Sequence, residues 1–165
     1  MAQTNDISTT TMPRRLLVLT VVVLLARFGM MLFESSQAKM TPETIPWTTV
    51  NQFDPSQNSE KKLLLFEFGA DWCEPVKRME SNVFTNKQIA GIISTRFLPI
   101  KVRDRLREDG KNTRQIAELE KKYHVFAFPT LIVARPDGEL VATLVGSASA
   151  LSTVHFLSRA SKTVN

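Results

Sequence analysis

The chain has 165 residues, 43% hydrophobic and 22% charged, enough for one globular domain of ordinary size plus an appendage. One cysteine and two isolated histidines exclude an internal disulfide and a multi-cysteine zinc or iron–sulfur site, so no metal is expected. The formal charge of +5 is mild: Arg103, Arg105, Arg107, Lys111 and Arg114 are interrupted by Asp104, Glu108 and Asp109 with no interleaved aromatics, which reads as a solvated loop and not a nucleic-acid surface.

Residues 1–15 form a polar tail ending in Arg14 and Arg15. LLVLTVVVLLARFGMMLF, residues 16–33, then carries a single charge, Arg27. A helix of that length rises about 27 Å, close to the hydrocarbon thickness of a bilayer. Two membrane readings compete. A signal anchor stays in the bilayer, with Arg27 reaching toward an interface. A cleaved signal peptide uses Leu16–Ala26 as its apolar region and Ser36-Gln37-Ala38 as its cleavage site, although that site lies 12 residues beyond Ala26. The anchor is the preferred reading. A buried core helix is the third, disfavoured because the segment is apolar all round. Either membrane reading puts Arg14 and Arg15 on the cytoplasmic side and everything after Phe33 on the other.

Residues 34–60 read as a linker and N-terminal arm, with a polar tether through Pro42 and then Trp47, Val50 and Phe53 in a short strand or extended arm. KLLLFEFGA, residues 62–70, is the strongest strand, a nearly continuous apolar run suited to cover on both faces. Glu67 interrupts it. Burial of that carboxylate would push its pKa up; the competing reading is an edge position that reaches water. From Glu74 to about Phe97 apolar residues recur at helical spacing, with a break at Asn82–Asn86 and Thr85 as candidate cap. FLPIKV, residues 97–102, predicts a second buried strand, and Arg103–Gly110 a charged loop. NTRQIAELEKKY, residues 112–123, places Ile116, Leu119 and Tyr123 on one helical face. TLIVA, a Pro-Asp-Gly turn and ELVATLV predict a hairpin, and Ser149–Ser161 an amphipathic helix. The order β-α-β-α-β-β-α implies an α/β fold with a central mixed sheet flanked by helices.

The stretch GADWCEPVKRME, residues 69–80, places Cys73 between the end of that strand and the start of a helix. A thiol there faces unpaired backbone N–H groups and the positive end of the helix dipole, which stabilise the thiolate as a nucleophile. Pro75 suits the first helical turn, where its missing N–H costs nothing. Lys77 adds a positive charge, opposed by Glu74. A lone cysteine elsewhere would read as a small buried apolar residue; its place behind Trp72 at a strand–helix junction favours chemistry.

From about residue 60 to 160 the chain resembles a thioredoxin-fold domain. Within that superfamily it most resembles the C-terminal domain of the bacterial transmembrane thiol:disulfide reductase and small periplasmic relatives. The residues that carry the resemblance are Phe68-Gly69-Ala70-Asp71-Trp72-Cys73, then Lys77, Glu80 and Phe84. About 50 residues on, Tyr123-His124-Val125-Phe126-Ala127-Phe128-Pro129-Thr130 supplies a second anchor. The resemblance implies a thioredoxin-like domain over residues 61–165 and a cis bond before Pro129, packed against the cysteine. It also implies a substrate strand held at Phe128, Pro129 and Thr130, and Glu67 as the buried acid beneath the active-site cysteines.

The departure from the pattern is Val76, which stands where the family carries a second, resolving cysteine. Three functions follow. The first is a monothiol exchange protein, forming mixed disulfides with cysteine-containing exported proteins or a membrane redox partner. The second is a redox-inactive binding or assembly module whose groove beside Phe128-Pro129 holds an extended peptide. The third is a thiol sensor or a dimer joined through Cys73. The resemblance places the protein at the inner membrane, with its domain on the periplasmic side and no cofactor.

Overall fold

The computed structural model describes residues 45–163. The tail 1–15, the apolar segment 16–33, the tether 34–44 and the Ser36-Gln37-Ala38 site lie outside the described residues. Among the described residues no helix is long and apolar enough to cross a membrane.

Five strands form one mixed sheet in the order β1-β3-β2-β4-β5. At its centre β2 (Leu63–Ala70) runs parallel to β3 (Phe97–Asp104) on one side and antiparallel to β4 (Thr130–Ala134) on the other. β1 (Thr48–Thr49) adds to the outer edge of β3 in parallel, and β5 (Leu140–Val145) closes the opposite edge against β4. The arm Ile45–Phe53 is therefore part of the sheet domain, and its Ile45 and Val50 are buried on opposite faces. All eight residues of β2 are buried, which is why its sequence is a continuous apolar run without two-residue alternation.

Side chains still alternate between the two faces of β2. Leu63 and Leu65 point to the face covered by α1 (Glu74–Asn82), α2 (Lys87–Arg96) and α5 (Ala150–Lys162), against Met79, Ile89, Ile93 and Leu157. Leu64, Phe66 and Phe68 point to the other face, against Ile116 of α4 (Arg114–Lys122) and Tyr123, whose ring lies 5.4 Å from that of Phe66. Each such fully buried side chain contributes about 1.5–3 kcal/mol, so the two apolar layers hold the sheet between its helices.

Two boundaries differ from the sequence reading. The second helix is capped by Asn86 and not by Thr85: Asn86 Oδ1 accepts the N–H groups of Gln88 and Ile89 at 2.9 and 3.3 Å. Thr85 donates its hydroxyl back to the Ser81 carbonyl instead, at 2.7 Å. The stretch 103–110 is not one loop either. Arg103 and Asp104 continue β3, and Leu106–Asp109 forms a single helical turn, α3, which ends at Gly110 in the left-handed region (φ 70°). Chemical denaturation should separate the two cap candidates. Asn86→Ala should cost about 1 kcal/mol, and Thr85→Ala well under half of that; equal losses would contradict the cap assignment.

Candidate active site

Cys73 is the N-cap residue of α1, with an extended backbone (φ −84°, ψ 103°) and 6% of its surface exposed. Its N–H is held by the Ala70 carbonyl at 3.0 Å, and its own carbonyl accepts the N–H groups of Val76 and Lys77 at 3.0 and 3.3 Å. These bonds fix the sulfur at the head of the helix, because Gly69 and Ala70 end β2 immediately before the turn. The thiol is 3.7 Å from the carbonyl oxygen of Phe128, which it meets as a weak donor. The Phe128–Pro129 bond is cis. Pro129 is buried, and Thr130 is buried with its hydroxyl donated to the Ala127 carbonyl at 2.7 Å.

Around the sulfur the surface is apolar and aromatic. Ala70, Cys73 and Val76 form a small buried cluster against which Phe128 packs. Trp72 is half exposed and meets Phe128 edge-on at 6.5 Å, while the Arg107 guanidinium of α3 lies over the Trp72 ring at 5.2 Å. Phe126 projects almost wholly into solvent. Pro75 sits in the first turn of α1 and is half-buried. Lys77 is exposed, and it is its backbone N–H that bonds the Cys73 carbonyl.

Val76 is 2% exposed and fills the position of a resolving group with a branched apolar side chain. It packs directly over Gly69: a Cβ built at Gly69 would stand 2.8 Å from Val76 Cγ1 and 3.1 Å from Arg103 Nη1. The missing side chain at 69 thus makes room for two neighbours at once. Gly69→Ala should destabilise the fold by about 1–3 kcal/mol through overpacking. In a Val76→Ala background the loss should shrink; an equal loss in both backgrounds would place the clash elsewhere.

Beside Val76 an ion network runs from one buried acid, Glu67, to three partly exposed partners, Arg103, Glu80 and Lys101. Glu67 is fully buried, the edge reading of this residue being excluded. Parallel register pairs Glu67 with Lys101 and Gly69 with Arg103, so all these residues share the face that α1 covers. Arg103 donates Nη1–H to Glu67 Oε2 at 2.6 Å and Nη2–H to Glu80 Oε1 of α1 at 2.5 Å. Lys101 Nζ bonds the same Glu80 oxygen. Glu67 Oε1 has no hydrogen-bond partner among the described residues. Burial pushes the Glu67 carboxyl above its ordinary value, outweighing the opposing pull of Arg103 and Lys101. Burial also pushes Glu80 up, but bonds and charge from Lys101 and Arg103 outweigh it there and hold Glu80 below its ordinary value. The guanidinium is shared between two acids of unequal burial, and the deeper one remains the less satisfied.

The sequence reading placed Arg103 in a loop and gave Lys101 no role. The signal was present in the continued two-residue alternation of Ile100, Lys101, Val102 and Arg103, which puts both cations on one side of an extended strand.

The raised Glu67 value has a consequence with a definite sign. Between the unfolded value, near 4.5, and the higher folded value, the native state holds a proton that the unfolded chain has lost. Glu67 therefore favours folding most below the unfolded value, and that contribution is lost as pH rises through the folded one. Glu67→Gln has no such titration. The stability of the wild type relative to this variant should fall with rising pH across that window and then level off. A difference flat across the window would show that Glu67 is not shifted upward.

The profile of a thioredoxin-like domain family matches residues 52–160. Thioredoxin-1 of Drosophila yakuba is 31% identical over 84 residues, 51% of this chain and 67% of that relative. Thioredoxin H2-1 of Oryza sativa subsp. japonica is 34% identical over 96 residues, 58% of each chain. Among solved structures, the DsbH oxidoreductase superposes with a TM-score of 0.58 over 72% of this chain and 85% of that one, at 17% identity, a likeness of fold alone. With the sheet order, the helix-capping Cys73 and the cis Phe128–Pro129 already in view, the chain belongs to the thioredoxin-like domain family.

Proposed function

We propose that this protein is a membrane-anchored, extracytoplasmic thioredoxin-like protein that exchanges thiols through Cys73 alone. The observation that carries the reading is the thiol itself, fixed at the N-terminus of α1 and 3.7 Å from the carbonyl of the cis-proline segment, with Val76 packed where a resolving thiol would stand. In the first step the Cys73 thiolate attacks one sulfur of a partner disulfide. The Cys73–partner S–S bond forms, the partner's own S–S bond breaks, and the other partner sulfur leaves as thiolate. No residue of this chain performs the second attack. An external thiolate must strike the mixed disulfide, take the partner sulfur into a new disulfide and return Cys73 as thiolate. Electrons balance without a cofactor.

The segment Phe128-Pro129-Thr130 would hold the partner as an extended strand beside the sulfur. The partners we infer are cysteine-containing exported proteins or a membrane redox protein. The apolar segment 16–33 motivates the anchor, and Arg14 and Arg15 the orientation, with the domain on the periplasmic side of the inner membrane. The motif Phe68-Gly69-Ala70-Asp71-Trp72-Cys73 motivates kinship with the C-terminal domain of the transmembrane thiol:disulfide reductase. A second reading, a binding module in which Cys73 is chemically idle, draws on the exposed Phe126 and Trp72 beside the same segment.

The two readings part on one experiment. Mixed with a disulfide-bonded peptide, the full chain should accumulate a Cys73 mixed disulfide that persists until a small thiol is added. Val76→Cys should release the peptide internally. With about 10 μM external thiol and an internal thiol at an effective concentration in the millimolar range, release should be about a hundredfold faster. No adduct on the native chain, with peptide still bound by Cys73→Ser, would leave the binding module as the surviving reading.

A further inference from the structure

β2 spans about 23 Å from Leu63 to Ala70 at 3.3 Å per residue, so its first residue lies far from the Cys73 end of the sheet. At that far end a cleft of about 570 Å³ is lined by Glu60, Lys61, Lys62, Arg96, Ser161 and Lys162, among others. Among the described residues four cations thus line the cleft with one carboxylate.

Their local bonds show how they are held. Lys62 Nζ pairs with Glu60 at 2.9 Å and donates to the Ser94 carbonyl at 3.2 Å. Arg96 Nη1 donates to Ser161 Oγ at 2.8 Å, and that nearly buried hydroxyl donates to the Ser158 carbonyl at 3.0 Å. The guanidinium is therefore oriented, and among the described residues its other N–H groups have no hydrogen-bond partner. Among the described residues Lys61 and Lys162 form no ion pair, and both are exposed.

A plainer explanation covers part of this. α2 ends at Arg96 and α5 at Lys162, and each helix C-terminus carries about half a negative charge, which a cation in the last turn offsets. Two such half-charges and Glu60 balance about two of the four cations, and Lys61 and Lys62 belong to no helix. Lys61 is also held with φ 51°, a left-handed conformation that a side chain occupies at a cost. The turn that imposes it is stitched by Asn58, whose carbonyl accepts Lys61 N–H at 3.0 Å and whose side chain exchanges two bonds with the Lys62 backbone at 2.8 and 2.9 Å. The backbone that carries Lys61 is thus fixed in a conformation that glycine adopts without that cost.

We propose that this cleft is a binding site for a phosphate group, with Lys61, Arg96 and Lys162 as its donors. Cations converging from three separate chain segments suit a multiply charged tetrahedral anion, and an oriented guanidinium suits its paired oxygens. The phosphate can belong to a lipid headgroup or to a small soluble compound. The site does not depend on the thiol reading, since it lies at the opposite end of β2.

The test measures amine acylation of each lysine in the full chain, held in neutral detergent micelles, with exposed Lys77 and Lys111 as references. Pyrophosphate is added in one arm and phosphatidylglycerol doped into the micelles in another, each against chloride at equal ionic strength. At three times the dissociation constant of the occupant, acylation of Lys61 and Lys162 should slow about fourfold, with the references unchanged. Protection by pyrophosphate alone identifies a soluble phosphate compound, and protection by the lipid alone a headgroup. Lys61→Gly should be at least as stable as the wild type, because glycine accepts φ 51°, yet should lose the protection of Lys162. Slowing that chloride reproduces, or that Lys61→Gly retains in full, overturns the proposal.

Discussion

A carboxylate buried in the central strand sets most of the geometry around the candidate site. Glu67 lies fully inside β2, between β3 and β4, where an uncompensated charge would cost several kcal/mol. The nearest compensation is Arg103, two residues beyond the register partner of Glu67 on β3 and directly opposite Gly69. Only a residue without a side chain at 69 leaves the guanidinium its path across the strand, and the same gap receives Val76 from α1. Glu80 completes the arrangement from α1 itself, one helical turn beyond Val76, by taking the second face of Arg103. Helix α1 is thereby tied to the sheet by packing at Val76 and Met79 and by charge at Glu80. Its first residue follows Cys73. The position of the thiol is thus a consequence, several contacts removed, of how one buried acid is neutralised.

That arrangement also limits what Glu67 can do chemically. The family resemblance places the buried acid beneath two active-site cysteines. Here Val76 stands in place of the second cysteine, and one carboxylate oxygen of Glu67 is already bound to Arg103. Glu67, Arg103, Glu80 and Lys101 form a connected ionic set beside Val76, with one oxygen of Glu67 left unpaired among the described residues.

The layers of the fold were legible because they follow from local pattern. The run Leu63–Ala70, the Pro-Asp-Gly turn and the spacing of Ile116, Leu119 and Tyr123 each carry their own periodicity, and the structure places a strand, a hairpin and a helix there. Glu67 stood out because a charge inside a continuous apolar run has few inexpensive solutions. Arg103 did not, because β3 ends in charged residues that look solvated when read along the chain. Its partners lie 36 and 23 residues away, a distance that only strand register brings together. Asn86 and Thr85 illustrate a smaller limit. Both residue types cap helices, and the choice between neighbours depends on which backbone turns outward before the first N–H groups, a detail of the loop leaving Val83.

With the interior locked, control of the proposed exchange passes outside the molecule. A protein with an internal resolving thiol sets its own release time through a fixed effective concentration. In this chain the corresponding volume is occupied by Val76, packed against Ala70, Cys73 and Phe128, and no described element offers another thiol. The lifetime of a captured partner would then scale inversely with the external thiol concentration and with access of that thiol past Trp72 and Phe128. A slow, environment-set release suits holding a cysteine protein until a second factor arrives, and does not suit rapid catalytic reduction. The same aromatic surface that would retain the partner non-covalently would also screen the mixed disulfide, so binding and capture would reinforce each other at one site.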